Sequence, residues 1–325
     1  MNKSNFASTI KKIGSNNGVF IAMILLFVFG SVLFGKFLTI TNFLNIFRQT
    51  SYMAIMAIGM TFVIISGGID LSVSSVFGLS GLLAALINKH LTGNLAVIII
   101  LPLLASAAFG LLNGVIVAKM KITPFIVTLA TMMGIKGIGL LISDGGQSFG
   151  IENTAFAVIG KGDVFGFPVP IIILIVITAL AMFVARYTVY GRNCYAVGGN
   201  TEAVIMKGVS IAKNKIITYT ISGILAGLAG LIIASRSNVG QITVGAGYEM
   251  DVVAAVVIGG TLLSGGSGKV LNSVFGMVII TLIGNLITMK GDITWMWQNV
   301  ITGVLMIAIL IVQSIQAKGS KLFAR

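Results

Sequence analysis

Apolar runs close to bilayer length follow one another along almost the whole chain, at residues 19–36, 50–66, 69–88, 95–118, 122–142, 168–186, 216–235, 250–264, 270–289 and 297–315. A helix needs roughly 20 apolar residues to cross the hydrocarbon core, and only helices or closed barrels satisfy their own backbone there. The pattern predicts an all-α, polytopic transmembrane bundle of about ten spans. With 57% hydrophobic and 9% charged residues, the 325-residue chain carries more apolar side chain than a water-soluble interior could hide. The expected organisation is a tail at 1–18, one membrane domain at 19–317 and a second tail at 318–325. That leaves no room for a soluble catalytic domain, so an enzyme is not expected.

The net charge of +13 would point to nucleic acid in a soluble protein, but the basic residues lie between apolar runs, where a positive-inside bias explains them. An even number of spans puts both termini on one side. If that side is the cytoplasm, Lys119, Lys121, Arg186, Arg192, Lys207, Lys213, Lys215, Lys269, Lys318, Lys321 and Arg325 all fall inside. The opposite face receives chiefly Lys36, Arg48, Lys89, Lys161, Arg236 and Lys290. Lys3, Lys11 and Lys12 precede the first run as in a secretion signal, but without an Ala-x-Ala-like site the run reads as an uncleaved helix. One cysteine, Cys194, and one histidine, His90, leave no disulfide and no zinc cluster, and no cofactor is expected.

The segment Tyr190 to Lys215 breaks the apolar pattern and must face water. Gly198-Gly199-Asn200 can start a short helix over Thr201–Met206, lying along the membrane between two spans. Such a helix could carry a push from a soluble motor into the bundle. The plain alternative is a basic loop. On the other face, residues 143–167 form the longest non-apolar stretch, with Asp144, Glu152 and Asp163, and either meet an external partner or remain a solvated loop.

The runs at 50–66 and 250–264 are short and Gly-interrupted, the mark of broken or re-entrant transporter helices. They share a pattern: Ser66-Gly67-Gly68 precedes Ser75-Val76-Phe77-Gly78, and at equal spacing Ser264-Gly265-Gly266 precedes Ser273-Val274-Phe275-Gly276. An internal duplication would produce this; the span count leaves parallel and inverted halves open. Gly265-Gly266-Ser267-Gly268-Lys269 is not a phosphate loop, since Leu263 and Val270 stand where Gly and Ser or Thr are required.

Ionisable residues near spans are costly and therefore candidates for pathway or gating roles: Asp70, Lys136, Glu249 and Asp251, with the polar Asn113. Each has a structural alternative. The three carboxylates can cap helices, Lys136 can ion-pair or snorkel, and Asn113 can bond a neighbouring helix. Gly223, Gly227 and Gly230 give one helix a smooth packing face, Trp295 and Trp297 fit an interfacial belt, and His90 a loop.

Four blocks, residues 54–81, 113–137, 191–209 and 247–270, together resemble the permease subunits of bacterial ABC importers for monosaccharides of the ribose, xylose and galactose type, and the resemblance runs almost end to end. It implies a homodimer in the bacterial inner membrane, a periplasmic or extracellular sugar-binding protein outside, and a separate ATPase inside. It also implies that the loop at about 187–215 couples to that ATPase, with Gly191, Arg192, Gly198, Gly199, Asn200, Glu202, Ala203 and Gly208 matching the family pattern. Val204, Lys207 and Lys136 depart from it, in place of an alanine, a serine and an arginine. The expected function is ribose-like sugar import by alternating access. The other readings are another small solute on the same architecture, such as a furanose signal or a branched-chain amino acid, and a stand-alone secondary carrier. Expected partners are thus the ATPase, the binding protein, a second copy and membrane lipid, and no nucleic acid.

Overall fold

A computed structural model describes residues 3–291, 294 and 296–322; Trp295 and Arg325, named above, lie outside them. Among the described residues the chain is a bundle of α-helices with one short 3₁₀ helix (Ile242–Gly245) and two minimal strand pairs. In chain order these are α1 (Lys3–Leu33), α2 (Ile40–Ile65), α3 (Val73–His90), α4 (Leu95–Lys119), α5 (Pro124–Ile142), α6 (Thr154–Lys161), α7 (Val169–Tyr187), α8 (Val189–Gly199), α9 (Thr201–Met206), α10 (Ile211–Ser237), α11 (Tyr248–Ile258), α12 (Val270–Lys290) and α13 (Trp297–Leu322).

Six helices, α2, α4, α5, α7, α10 and α12, are long and apolar enough to cross a membrane. α1 and α13 contribute the shorter apolar stretches Gly18–Leu33 and Trp297–Ile311. The short α11, at 1.5 Å per residue about 16 Å long, cannot cross a 30 Å core. The run at 50–66 is not a broken helix: it is the inner part of the continuous α2, where Gly59 admits the Ser222 backbone of α10. His90 is the last residue of α3 rather than a loop residue, its ring edge-on to Phe149.

Sequence sets which helices are central. α2 is apolar on every side from Thr50 to Ile65 and is buried throughout that stretch, packed against α7, α10, α11 and α12. By contrast only 22%, 22% and 28% of the apolar windows of α4, α5 and α7 are buried, which leaves their Leu, Ile and Phe side chains for lipid. Lipid supplies no hydrophobic drive between helices, so close packing relies on small residues. α10 shows this: Gly223 and Gly227 lie against Ser106 of α4, and Gly230 against the Phe77 carbonyl of α3. α4 reciprocates with Gly110 against Tyr219 and Gly114 against Ile216.

One end of the bundle carries α6 and the strand pairs. There β1 (Phe149–Gly150) pairs with β4 (Val239–Gly240), and β2 (Asp163–Val164) with β3 (Phe167–Pro168). The other end carries α8, α9 and the two Ser-Gly-Gly turns. Between α10 and α11 the chain does not stay at the first end. After Asn238, in a left-handed conformation (φ 56°), it descends beside α3. Gly240 meets the Gly81 carbonyl, Ile242 the backbone at Gly78, and Gly245 the Ser74 carbonyl. The seven residue steps of α3 from Gly81 to Ser74 correspond to about 10 Å of depth, so α11 starts inside the bundle.

Candidate functional site

The polar segment folds as two helices. Thr188 caps α8 by accepting from Gly191 N at 3.0 Å, and Asn200 caps α9 by accepting from Ala203 N at 3.0 Å. α9 spans Thr201–Met206, the residues in which the sequence suggested a short helix. α8 was not anticipated; Gly198 and Gly199 belong to it rather than to a turn.

α8 is fastened to three parts of the bundle. Gly191 lies against the Val184 and Ala185 carbonyls at the end of α7. Tyr190 Oη lies 2.9 Å from Thr218 Oγ1 of α10, and Asn214 Nδ2 donates to the Tyr190 carbonyl at 3.5 Å. Tyr195 Oη donates to the Gly268 carbonyl at 3.0 Å.

The closest contacts involve glycines. Gly266 N donates to the Ile65 carbonyl at 2.8 Å, joining the second Ser-Gly-Gly turn to the last carbonyls of α2. The end of α8 is inserted there. A methyl group on Gly198 would overlap the Ile65 carbonyl and stand 2.7 Å from Gly266 N; one on Gly266 would stand 2.6 Å from the Gly199 Cα. Gly265 packs on both Gly198 and Gly67. Gly67, Gly265 and Gly266 have φ of 76°, 86° and 74°, which disfavours any side chain. The two repeated turns thus lie at the same end of the bundle and meet around α8, so the similar segments run parallel rather than inverted.

The eight residues matched to the coupling pattern divide by position. Gly191 and Gly198 face the bundle, Gly199 is exposed but touches Gly266, Asn200 caps α9, and Arg192, Glu202, Ala203 and Gly208 are exposed. Sequence reasoning missed Ile205 and Met206, which are 61% and 89% exposed at the outer surface of α9. The signal was present: a six-residue helix with Val204, Ile205 and Met206 in succession can turn only one of them inward, and it turns Val204.

The other candidates form two groups. Asp70 and Asn113 share a buried network. Ser72 N and Ser72 Oγ donate to Asp70 Oδ1 at 3.1 and 2.6 Å, and Ser222 Oγ of α10 donates to Oδ2 at 2.8 Å. Asn113 Nδ2 donates to Ser72 Oγ at 2.9 Å and its Oδ1 accepts from Thr131 Oγ1 of α5 at 2.6 Å. Asp70 therefore does not cap the amides of α3; it closes a local turn on Ser72 and ties four elements together. Lys136 and Glu249 instead line one cavity with Ser74 and Ser75. Glu249 Oε2 accepts from Gly247 N at 3.2 Å, a capping contact at the start of α11. Asp251 lies in the same first turn. Among the described residues the ion pair found is Arg48 to Asp163 at 3.0 Å, so Lys136 is not held by one.

The sequence pattern of the family described as branched-chain amino acid transport system / permease component matches residues 42–310. The ribose import permease protein RbsC of Haemophilus influenzae is 42% identical over 297 residues, 90% of this chain and 91% of that protein. RbsC of Bacillus subtilis is 38% identical over 94% of each chain, and the L-arabinose transport system permease protein AraH of Escherichia coli 34% over 98% of this chain and 96% of its own. No solved structure matches the chain. Fold, coverage and identity agree: the chain belongs to this family of permease components and is a multi-pass membrane permease.

Proposed function

We propose that the protein is the membrane subunit of an ATP-driven bacterial importer and passes a ribose-like monosaccharide inward by alternating access. It works as a homodimer with a separate ATPase on the cytoplasmic side and a sugar-binding protein on the other. Both termini, α8 and α9 face the cytoplasm, in keeping with the positive-inside bias of the connecting segments. The observation that carries this reading is the joint at Gly198 and Gly199. A segment whose outer surface exposes Ile205 and Met206, and whose inner end is inserted between both Ser-Gly-Gly turns, is built to receive a push and deliver it to two helix pairs at once. Likeness to ribose and arabinose permeases over nearly the whole chain supports the solute class.

Energy enters through the ATPase, whose two nucleotide states must bind the permease conformations with different affinity. The apolar tip of α9 is the contact through which that difference acts. Replacing Ile205 and Met206 together by Asp removes apolar anchors from the proposed interface and should reduce ATPase co-purification and sugar uptake roughly tenfold or more. Both residues are exposed, so the permease itself should stay monodisperse in detergent. Undiminished uptake by this variant contradicts the coupling role. Uptake by the permease alone in liposomes under an ion gradient contradicts the ATP-driven reading.

A further inference from the structure

The descent between α10 and α11 places irregular backbone, the strand residues Val239–Gly240 and a single 3₁₀ turn at Ile242–Gly245, beside α3 in place of a membrane-spanning helix. Such backbone is tolerated at membrane depth only where protein buries it or where it lines a polar cavity, and discontinuous helices commonly build solute sites in transporters. Here Ile242 and Gly245 are buried, while the exposed Thr243, Ala246 and Gly247 line a cavity with polar groups. Ile242, Thr243, Ala246 and Gly247 form one wall of a cavity of about 240 Å³, facing Ser74 and Ser75 on the first turn of α3 and Met132 and Lys136 on α5, with Glu249 of α11 completing the lining. Lys136 lies twelve residues beyond Pro124 and six before Ile142, so about 18 Å and 9 Å from the ends of α5.

The chemistry of the lining is specific. Lys136 is exposed and Glu249 half-buried on this lining, so an amine donor and a carboxyl acceptor are both open to a solute. Among the described residues Lys136 has no ion-pair partner, and Glu249 accepts from Gly247 N through Oε2. The Ser75 hydroxyl donates to the Met132 carbonyl at 2.9 Å, which leaves its lone pairs to accept. Thr243 adds a further hydroxyl group. The volume lies below the roughly 300–1,000 Å³ typical of sites for drug-sized ligands, which suits a smaller solute.

We infer that this cavity is a transient station for a small neutral polyol on its way through the permease, with Lys136 donating to solute hydroxyls and Glu249 accepting from them. The inference rests on the proposed import of a monosaccharide and adds the place where the permease itself touches the solute. A neutral polyol both donates and accepts at every hydroxyl, so it satisfies both charged groups without bringing a charge across the membrane.

The test uses the complete importer in proteoliposomes, with permease, ATPase and binding protein, and radiolabelled ribose, xylose, arabinose and leucine as separate probes. The variants are Lys136→Met, Lys136→Arg and Glu249→Gln. Loss of one charge-assisted hydrogen bond should lower sugar uptake roughly tenfold in the Met and Gln variants. ATP hydrolysis stimulated by the loaded binding protein should stay within about twofold of wild type, because the variants lie far from α8. Lys136→Arg should restore most of the uptake. Wild-type uptake in both Lys136→Met and Glu249→Gln overturns the station, as does parallel loss of stimulated ATP hydrolysis. A wild-type complex that takes up leucine and none of the three sugars overturns the monosaccharide reading itself, and the polyol assignment with it.

Discussion

Gly198→Ala is expected to uncouple the importer: sugar uptake falls at least tenfold, while the binding protein keeps its affinity for sugar. The added methyl would overlap the Ile65 carbonyl and stand 2.7 Å from Gly266 N, the two ends of the hydrogen bond that joins the turns. These are backbone atoms, so no side-chain rotation relieves the clash; either α8 withdraws or the two turns separate. Overpacking of this kind costs roughly 1–3 kcal/mol. That is enough to shift a balance between two conformations about tenfold but leaves most of the bundle intact. Gly208→Ala is the comparison. Gly208 also has a positive φ, 71°, but no atom lies within 4 Å of its added methyl, so the variant carries backbone strain without the wedge. Uptake lost equally in both variants would mean that segment flexibility, not the glycine joint, is what matters.

The second large effect is expected at Asp70→Ala. Removing the carboxyl leaves Ser72 N, Ser72 Oγ and Ser222 Oγ without their recorded acceptor in a fully buried position. Each group that finds no other partner costs about 1–3 kcal/mol. Ser72 Oγ is also the acceptor for Asn113, so the disturbance reaches α4 and, through Thr131, α5. The expected result is a lower thermal midpoint in detergent and a poor yield of folded permease. Asp70→Asn, which keeps one acceptor oxygen, should fall between Ala and wild type. A solute-gating role without a structural one would instead leave the Ala variant as stable as wild type and change only uptake.

How far the sequence revealed these features depended on whether the cause was local. α9 was legible because Asn200 and the six residues after it carry their own cap and helix preference. The apolar runs located the helices for the same reason, but not the depth of their ends. The run at 50–66 looked broken, yet Gly59 is a close contact with Ser222 inside a continuous helix. Residues 239–247 fall between two apolar runs and carry no signal of depth, yet Gly78 and Gly81 of α3 open a track for them into the bundle. Which helix a glycine faces is set by packing between segments far apart in sequence.

The same limit separated the site candidates. Asp70, Asn113, Lys136 and Glu249 stood out because polar groups near spans are rare. Only the fold assigns Asp70 and Asn113 to a network that holds helices together, and Lys136 and Glu249 to a cavity. The repeated Ser-Gly-Gly turns were visible as a pattern, but their meeting around Gly198 and Gly199 was not, since nothing in either repeat specifies the distant glycine pair it contacts.

The most direct test of the account is the labelling of Met206→Cys by a membrane-impermeant maleimide. The native Cys194 gives little background, because it is fully buried and burial pushes its thiol pKa up. The account predicts labelling in inverted membrane vesicles, none in intact cells, and protection when the ATPase is bound. Labelling in intact cells, or labelling that the bound ATPase leaves unchanged, would contradict it.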